Sequence, residues 1–174
     1  MNKQKIKRIS ISAVIVFLAY IIQCSLVRYI SLASIGPNIL IIITAAYALM
    51  HGQITGMVVG FFLGILVDIQ FGGIIGLYAF IYMIAGFLCG IFHQHYSREN
   101  LKLPMTVFLV SEFIYGLIVC LLMFILRGEF HFIFYFTHNI IPELIYTIVV
   151  AFPIYILLLY IDQKLEIAEK RSES

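Results

Sequence analysis

Three carboxylates, Asp68, Glu112 and Glu143, stand inside or at the ends of long apolar runs, and they are the residues of this chain best placed to do chemistry. A charge at the centre of a bilayer costs at least about 2.5 to 3.5 kcal/mol, so each needs a partner, a proton or a task. Glu112 lies about seven residues past Pro104, which on a helix puts it roughly 10 Å into the hydrocarbon. Ser111 is adjacent and Tyr115 one turn on, with no basic residue fixed at that depth, so a neutral or hydrogen-bonded carboxyl is expected. A part in proton movement is the sharper alternative. Asp68 lies near the end of one apolar run and just before the next, where free N–H groups and the helix dipole favour an anion. Capping is the first reading there, and a partner or ligand contact the second. Glu143 follows Pro142 in the first turn of the last run, where an anion is again favoured.

Other reactive types carry less. His93 and His95 are two apart in one loop with no third ligand nearby, and the reading is a solvated loop rather than a metal site. Cys24, Cys89 and Cys120 fall inside apolar runs without metal-ligand spacing and read as small core residues. There is no nucleophile elbow, no paired histidine and glutamate at zinc spacing, and no phosphate loop. No catalytic residue, metal or cofactor is expected.

The elements that must position the carboxylates are marked by glycine. Gly52, Gly56, Gly60, Gly64, Asp68, Gly72 and Gly76 follow one another at four-residue steps, with Gly73 beside the sixth. Residues four apart share a helix ridge, and hydrogens in place of side chains leave a groove into which another backbone can press. Glycine in an exposed helix interior costs about 1 kcal/mol against alanine, so such a run calls for tight packing or partner binding. The ridge drifts around the axis, so a neighbour following it must cross at an angle. Gly86 and Gly90 repeat the spacing further on.

With 63% hydrophobic and 11% charged residues and a mean hydropathy of +1.06, the chain is an integral membrane protein. Its 174 residues allow five or six spans with short connections, and the net charge of +2 suggests no nucleic acid. Spans are expected at about 11–27, 38–50, 54–69, 74–92, 105–126 and 141–161. The first resembles a signal peptide, but no convincing cleavage site follows it. The second and third are short and joined by a tight turn, so a re-entrant hairpin is the alternative. Pro153 should kink the last span. The aromatic segment from Phe130 to Phe136 is too short to span and suits the headgroup level. Six spans with the N-terminus inside put Lys3, Lys5, Lys7, Arg8, Arg98, Lys102, Lys164, Lys170 and Arg171 on the inner side against Arg28 and Arg127 outside, as the positive-inside rule requires. The expected fold is an all-α polytopic membrane bundle of six transmembrane helices, both termini cytoplasmic.

Gln23 late in the first span, Pro37-Asn38 opening the second, the block from Gly60 through Gly64 to Asp68, and Gly73 with Gly76-Leu77-Tyr78 form a recognisable set. On these residues the chain resembles the bacterial rod shape-determining protein MreD family. It implies a non-enzymatic scaffold of the cell-elongation and peptidoglycan-synthesis machinery in the bacterial inner membrane. It further implies a complex with an MreC-like membrane-anchored partner and connections to an MreB-like filament and to peptidoglycan synthases. Gly60, Gly64 and Asp68 match the family pattern as packing or partner positions. The six-span architecture is also similar to substrate-binding membrane subunits of energy-coupling-factor vitamin transporters, the alternative function, which would need an outward cavity with convergent polar groups. An intramembrane enzyme is the third and weakest reading.

Overall fold

The computed structural model of the protein describes residues 3–30, 36–71, 75–98, 100–127 and 136–171. Among them there is no strand, and six α-helices follow in order: α1 (Lys3–Ile30), α2 (Ile39–His51), α3 (Gln53–Phe71), α4 (Leu77–Ile91), α5 (Lys102–Arg127) and α6 (Ile141–Arg171). A short 3-10 turn, Phe92–His95, extends α4, and a π turn, Phe136–Ile140, runs directly into α6. The all-α reading holds. Gly72, Gly73 and residues 130–135 of the aromatic segment lie outside the described residues.

The centre of the bundle is α2. Every residue from Ile39 to Leu49 is buried, and α1, α3, α4, α5 and α6 all contact the helix. Its sequence, ILIIITAAYALMH, has no polar face to offer water or headgroups, so it can only be surrounded. Thr44 returns its hydroxyl to the Leu40 carbonyl (2.9 Å), which removes the one polar side chain in its middle.

Both ends of α2 are tied to neighbours. At its start Gln23 of α1 donates to the Pro37 carbonyl (3.0 Å) and accepts from the Ile39 N–H (2.8 Å). The Asn38 side chain caps the helix by accepting from Ile41 N–H (3.2 Å). At its end the His93 Nδ1 lies 2.6 Å from the Leu49 carbonyl, and His51 lies 3.3 Å from Asp162 near the end of α6. The tip of the α2–α3 hairpin is therefore level with the end of α4 and with Asp162 of α6.

Four helical stretches are long and apolar enough to cross a membrane: Gln53–Gln70, Leu77–His95, Lys102–Leu122 and Phe136–Glu169. Ser10–Ser25 and Ile39–His51 are shorter apolar helices. Large apolar side chains such as Ile54, Phe62, Ile69 and Val149 point outward, as lipid-facing positions should. The last helix continues through Pro153 and past the expected end at 161 to Arg171. Its 31 residues, about 46 Å, exceed a hydrocarbon core of roughly 30 Å.

Candidate functional site

The glycine ridge of α3 lies against α4. A Cβ added to Gly56 would come 2.6 Å from the Gly86 carbonyl oxygen and collide with Ala48 of α2. One on Gly60 would collide with the Tyr82 carbonyl, and one on Gly64 would come 2.5 Å from the Tyr78 carbonyl. The fit is reciprocal, since a Cβ on Gly86 would strike Gly56 and one on Gly90 would strike Gln53. The two backbones stay close along the whole length of α4. Here the obstruction is backbone on both sides, so no side-chain rearrangement could admit the extra carbon.

Gly52 and Gly76 correct the four-residue reading. Both stand outside the helices with positive φ, +90° and +99°, where glycine is favoured because other residues crowd their own backbone. Nothing lies within 4 Å of a Cβ built at Gly76. They belong to the spacing by arithmetic and to the turns by conformation. Gly73 lies outside the described residues.

Asp68 ends the ridge where α4 begins. It is 2% exposed, and its carboxylate accepts from Gly76 N–H (3.0 Å), Tyr78 N–H (2.9 Å) and Ala79 N–H (3.0 Å). Gly76 is the N-cap residue of α4 and has no side chain with which to cap it. Asp68 performs that function from the neighbouring helix, satisfying N–H groups that would otherwise be orphaned in an apolar setting.

Glu112 is also 2% exposed, beside Asn38, Thr147 and Glu143, and its Oε2 has no hydrogen-bond partner among the described residues. It thus lies near the start of α2, where Thr147 accepts from the Asn38 N–H (3.0 Å) and Tyr82 donates to Asn38 Oδ1 (3.1 Å). The helix dipole favours an anion there. Glu143 stands in the first turn of α6, but the helical path begins one π turn earlier, so α6 does not open freely at Pro142. The structure brings Glu112 and Glu143 together at one end of the bundle. Asp68 serves the α3–α4 turn instead.

A second polar cluster, which sequence reading overlooked, joins the opposite end. Arg98 in the α4–α5 loop reaches Asp162 (3.2 Å) and Glu166 (2.7 Å) on α6, and Asp162 also meets His51. The hydrogen bond to Glu166 pushes the Arg98 guanidinium above its ordinary value, so it is charged at any working pH. Tyr155 donates to Tyr96 in the same loop (3.0 Å), and burial pushes the Tyr96 phenol up. The signal was present in Asp162, an acid directly following the apolar run to Ile161, but it reads equally well as the first charge of a solvated tail.

Two recesses accompany these groups. A groove of about 780 Å³ runs along α1 and the α2–α3 hairpin, lined mainly by apolar side chains including Val16, Phe17, Val58 and Phe62. The other, of about 190 Å³, is lined by both polar and apolar side chains, Glu143 among them.

The geometry is that of a tightly packed helical membrane protein whose polar side chains mostly hold helix ends, and the family model described as rod shape-determining protein MreD matches residues 3–164 of it. The chain belongs to the MreD family. The match runs from the start of α1 into the last turns of α6, so the ridge, Asp68, Glu112, Glu143 and Asp162 all fall within it. The protein is therefore a membrane protein with a role in rod shape determination. The MreD family is a structural family, not known as an enzyme, and is part of the shape-determining system with MreC and MreB. No curated protein and no solved structure is similar enough to match.

Proposed function

We propose that this chain acts as a non-enzymatic scaffold that presents a fixed surface within the bilayer to an MreC-like, membrane-anchored partner. Through it the scaffold connects to an MreB-like filament and to peptidoglycan synthases. The observation that carries this reading is the use of the glycine ridge inside the molecule. With α3 seated backbone to backbone on α4, and α2 enclosed by both, the three helices form a block with little freedom to deform. Rigidity suits a docking surface more than a carrier. The ridge being occupied by α4, the partner meets the outward apolar faces or the loops. Membership of the MreD family supports the same partner class. The vitamin-transporter alternative would need convergent polar groups in its cavity, whereas the groove of about 780 Å³ along α1 and the α2–α3 hairpin is lined mainly by apolar side chains, which counts against it.

Both termini are placed in the cytoplasm in this reading, with six crossings, because that puts the Arg98–Asp162 end on the positive inner side. Reporter fusions after Ser174 and in the 31–35 segment should report opposite sides. The scaffold itself is tested by copurification. An MreC-like single-span protein should be retained through detergent extraction with the wild-type chain and lost with Gly60→Leu, whereas retention by both would argue against a surface that depends on this packing.

A further inference from the structure

Between α1 and α3 the bundle has a cleft that is shut at one end. There the Tyr20 hydroxyl lies 2.8 Å from Gln70 Oε1 and 3.2 Å from the Leu66 carbonyl oxygen, and the two helices are joined. Toward the tip of the α2–α3 hairpin they part, leaving the groove of about 780 Å³ with Tyr47 and Met50 of α2 in its wall. The lining changes character along its length. Ser12, His51, Thr55 and His93 stand at the hairpin end, and the apolar Val16, Phe17, Val58, Val59 and Leu66 continue from there toward the closed end. Side chains bordering such a groove forfeit their contacts on one side until something fills it.

Length separates the candidates for that role. From Ile54 to Leu66 the groove follows α3 for about 18 Å at 1.5 Å per residue. One leaflet supplies about 15 Å of a hydrocarbon core of roughly 30 Å. A spanning helix needs the full depth, and the junction of Tyr20 with Leu66 and Gln70 shuts the seam before it is reached. An acyl chain needs only the depth of its own leaflet.

Charge selects the headgroup. The described lining holds no carboxylate, and Asp162, which meets His51 from α6, is outside it and engaged by Arg98. Lys3, Lys5, Lys7 and Arg8 precede Ser12 in the opening turns of α1. Basic clusters beside a membrane helix attract anionic headgroups. His93 Nδ1 donates to the Leu49 carbonyl, which fixes the imidazole at the mouth. We propose that this groove binds an anionic phospholipid of the inner leaflet, with an acyl chain along α3 and the phosphate at the mouth beside Ser12 and His93. The inference rests on the orientation argued above, which places the hairpin tip on the positive side, and not on the scaffold reading.

The full chain tests it after reconstitution in vesicles of equal parts phosphatidylglycerol and phosphatidylcholine with matched acyl chains. Re-extracted and weighed by native mass spectrometry, the protein should retain phosphatidylglycerol over phosphatidylcholine by about fivefold or more. Val58→Trp fills the groove from its wall and should lose that lipid, whereas Val149→Trp, on an outward face of α6 away from the groove, should keep it. Phosphatidylglycerol carrying a photoactivatable group in its acyl chain should label residues 12–17 and 54–66 of the wild-type chain, which decides the matter should Val58→Trp fail to fold. Equal retention of the two lipids, undiminished retention in Val58→Trp, or labelling confined to other helices would overturn the proposal. A crosslink from a cysteine at position 58 to an MreC-like span would overturn it too, by giving the groove to the partner.

Discussion

Gly56 of α3 and Gly86 of α4 meet backbone to backbone, so that a Cβ on Gly86 would collide with the carbonyl of Gly56, and one on Gly56 would lie 2.6 Å from the carbonyl oxygen of Gly86. Two helices can approach this closely only where both lack side chains, and in lipid, where no hydrophobic effect draws helices together, such contact is a main source of association. The pair therefore fixes the relation of α3 to α4 on which the α3–α4 turn and the packing around α2 depend.

Leucine at Gly60 or Gly64 must displace the α4 backbone at Tyr82 or Tyr78–Ala79. A loss of about 3 kcal/mol or more is expected, at the upper end of overpacking effects, because no flexible side chain is available to yield. Val58, half exposed, should accept leucine with little change. Accumulation in membranes and unfolding temperature in detergent check this, and similar behaviour at all three positions would contradict it.

Asp68→Asn keeps the shape of the side chain and removes the anion. One of its two terminal atoms would then present hydrogens to N–H groups of α4, where the carboxylate now accepts from Gly76, Tyr78 and Ala79. A destabilisation of about 1 to 3 kcal/mol is expected, with faster proteolysis in the α3–α4 turn, and Asp68→Ala should cost at least as much. An asparagine variant as stable as wild type would mean that shape, not charge, holds the turn.

At the opposite end, Arg98 and Glu166 are both accessible to solvent, and their pair should be worth no more than about 1 kcal/mol in a double-mutant cycle and weaken with salt. Asp162 is buried and serves both His51 and Arg98. Asp162→Ala should therefore cost more than the whole Arg98–Glu166 coupling, and the comparison of the two thermal shifts measures it.

Single cysteines in a chain freed of Cys24, Cys89 and Cys120 should crosslink to an MreC-like partner only from outward positions. Phe62 and Ile69 on α3 are exposed and Leu63 is fully buried, so the three form an internal control on one helix. Crosslinks from position 63 with none from 62 or 69 would mean that the helix turns a different face to the partner from the one it shows here.

Composition alone determined that this is a helical membrane protein, because apolar runs of such length have no other way to satisfy their backbone in lipid. The glycine spacing marked a close-packed ridge, and the placement of Asp68 before a helix start suggested its cap. Tertiary structure decided what local sequence leaves open. It placed Gly76, expected inside the fourth span, in a turn at positive φ like Gly52 between the second and third, although both match the ridge glycines in spacing, since spacing records position along the chain and not backbone conformation. It made α2 the centre, because a helix apolar on all sides looks the same in sequence whether lipid or protein surrounds it. It brought Glu143 to Glu112 and His51 to Asp162, pairs far apart in sequence whose meeting depends on how the helices pack against one another, a relation that no single apolar run records.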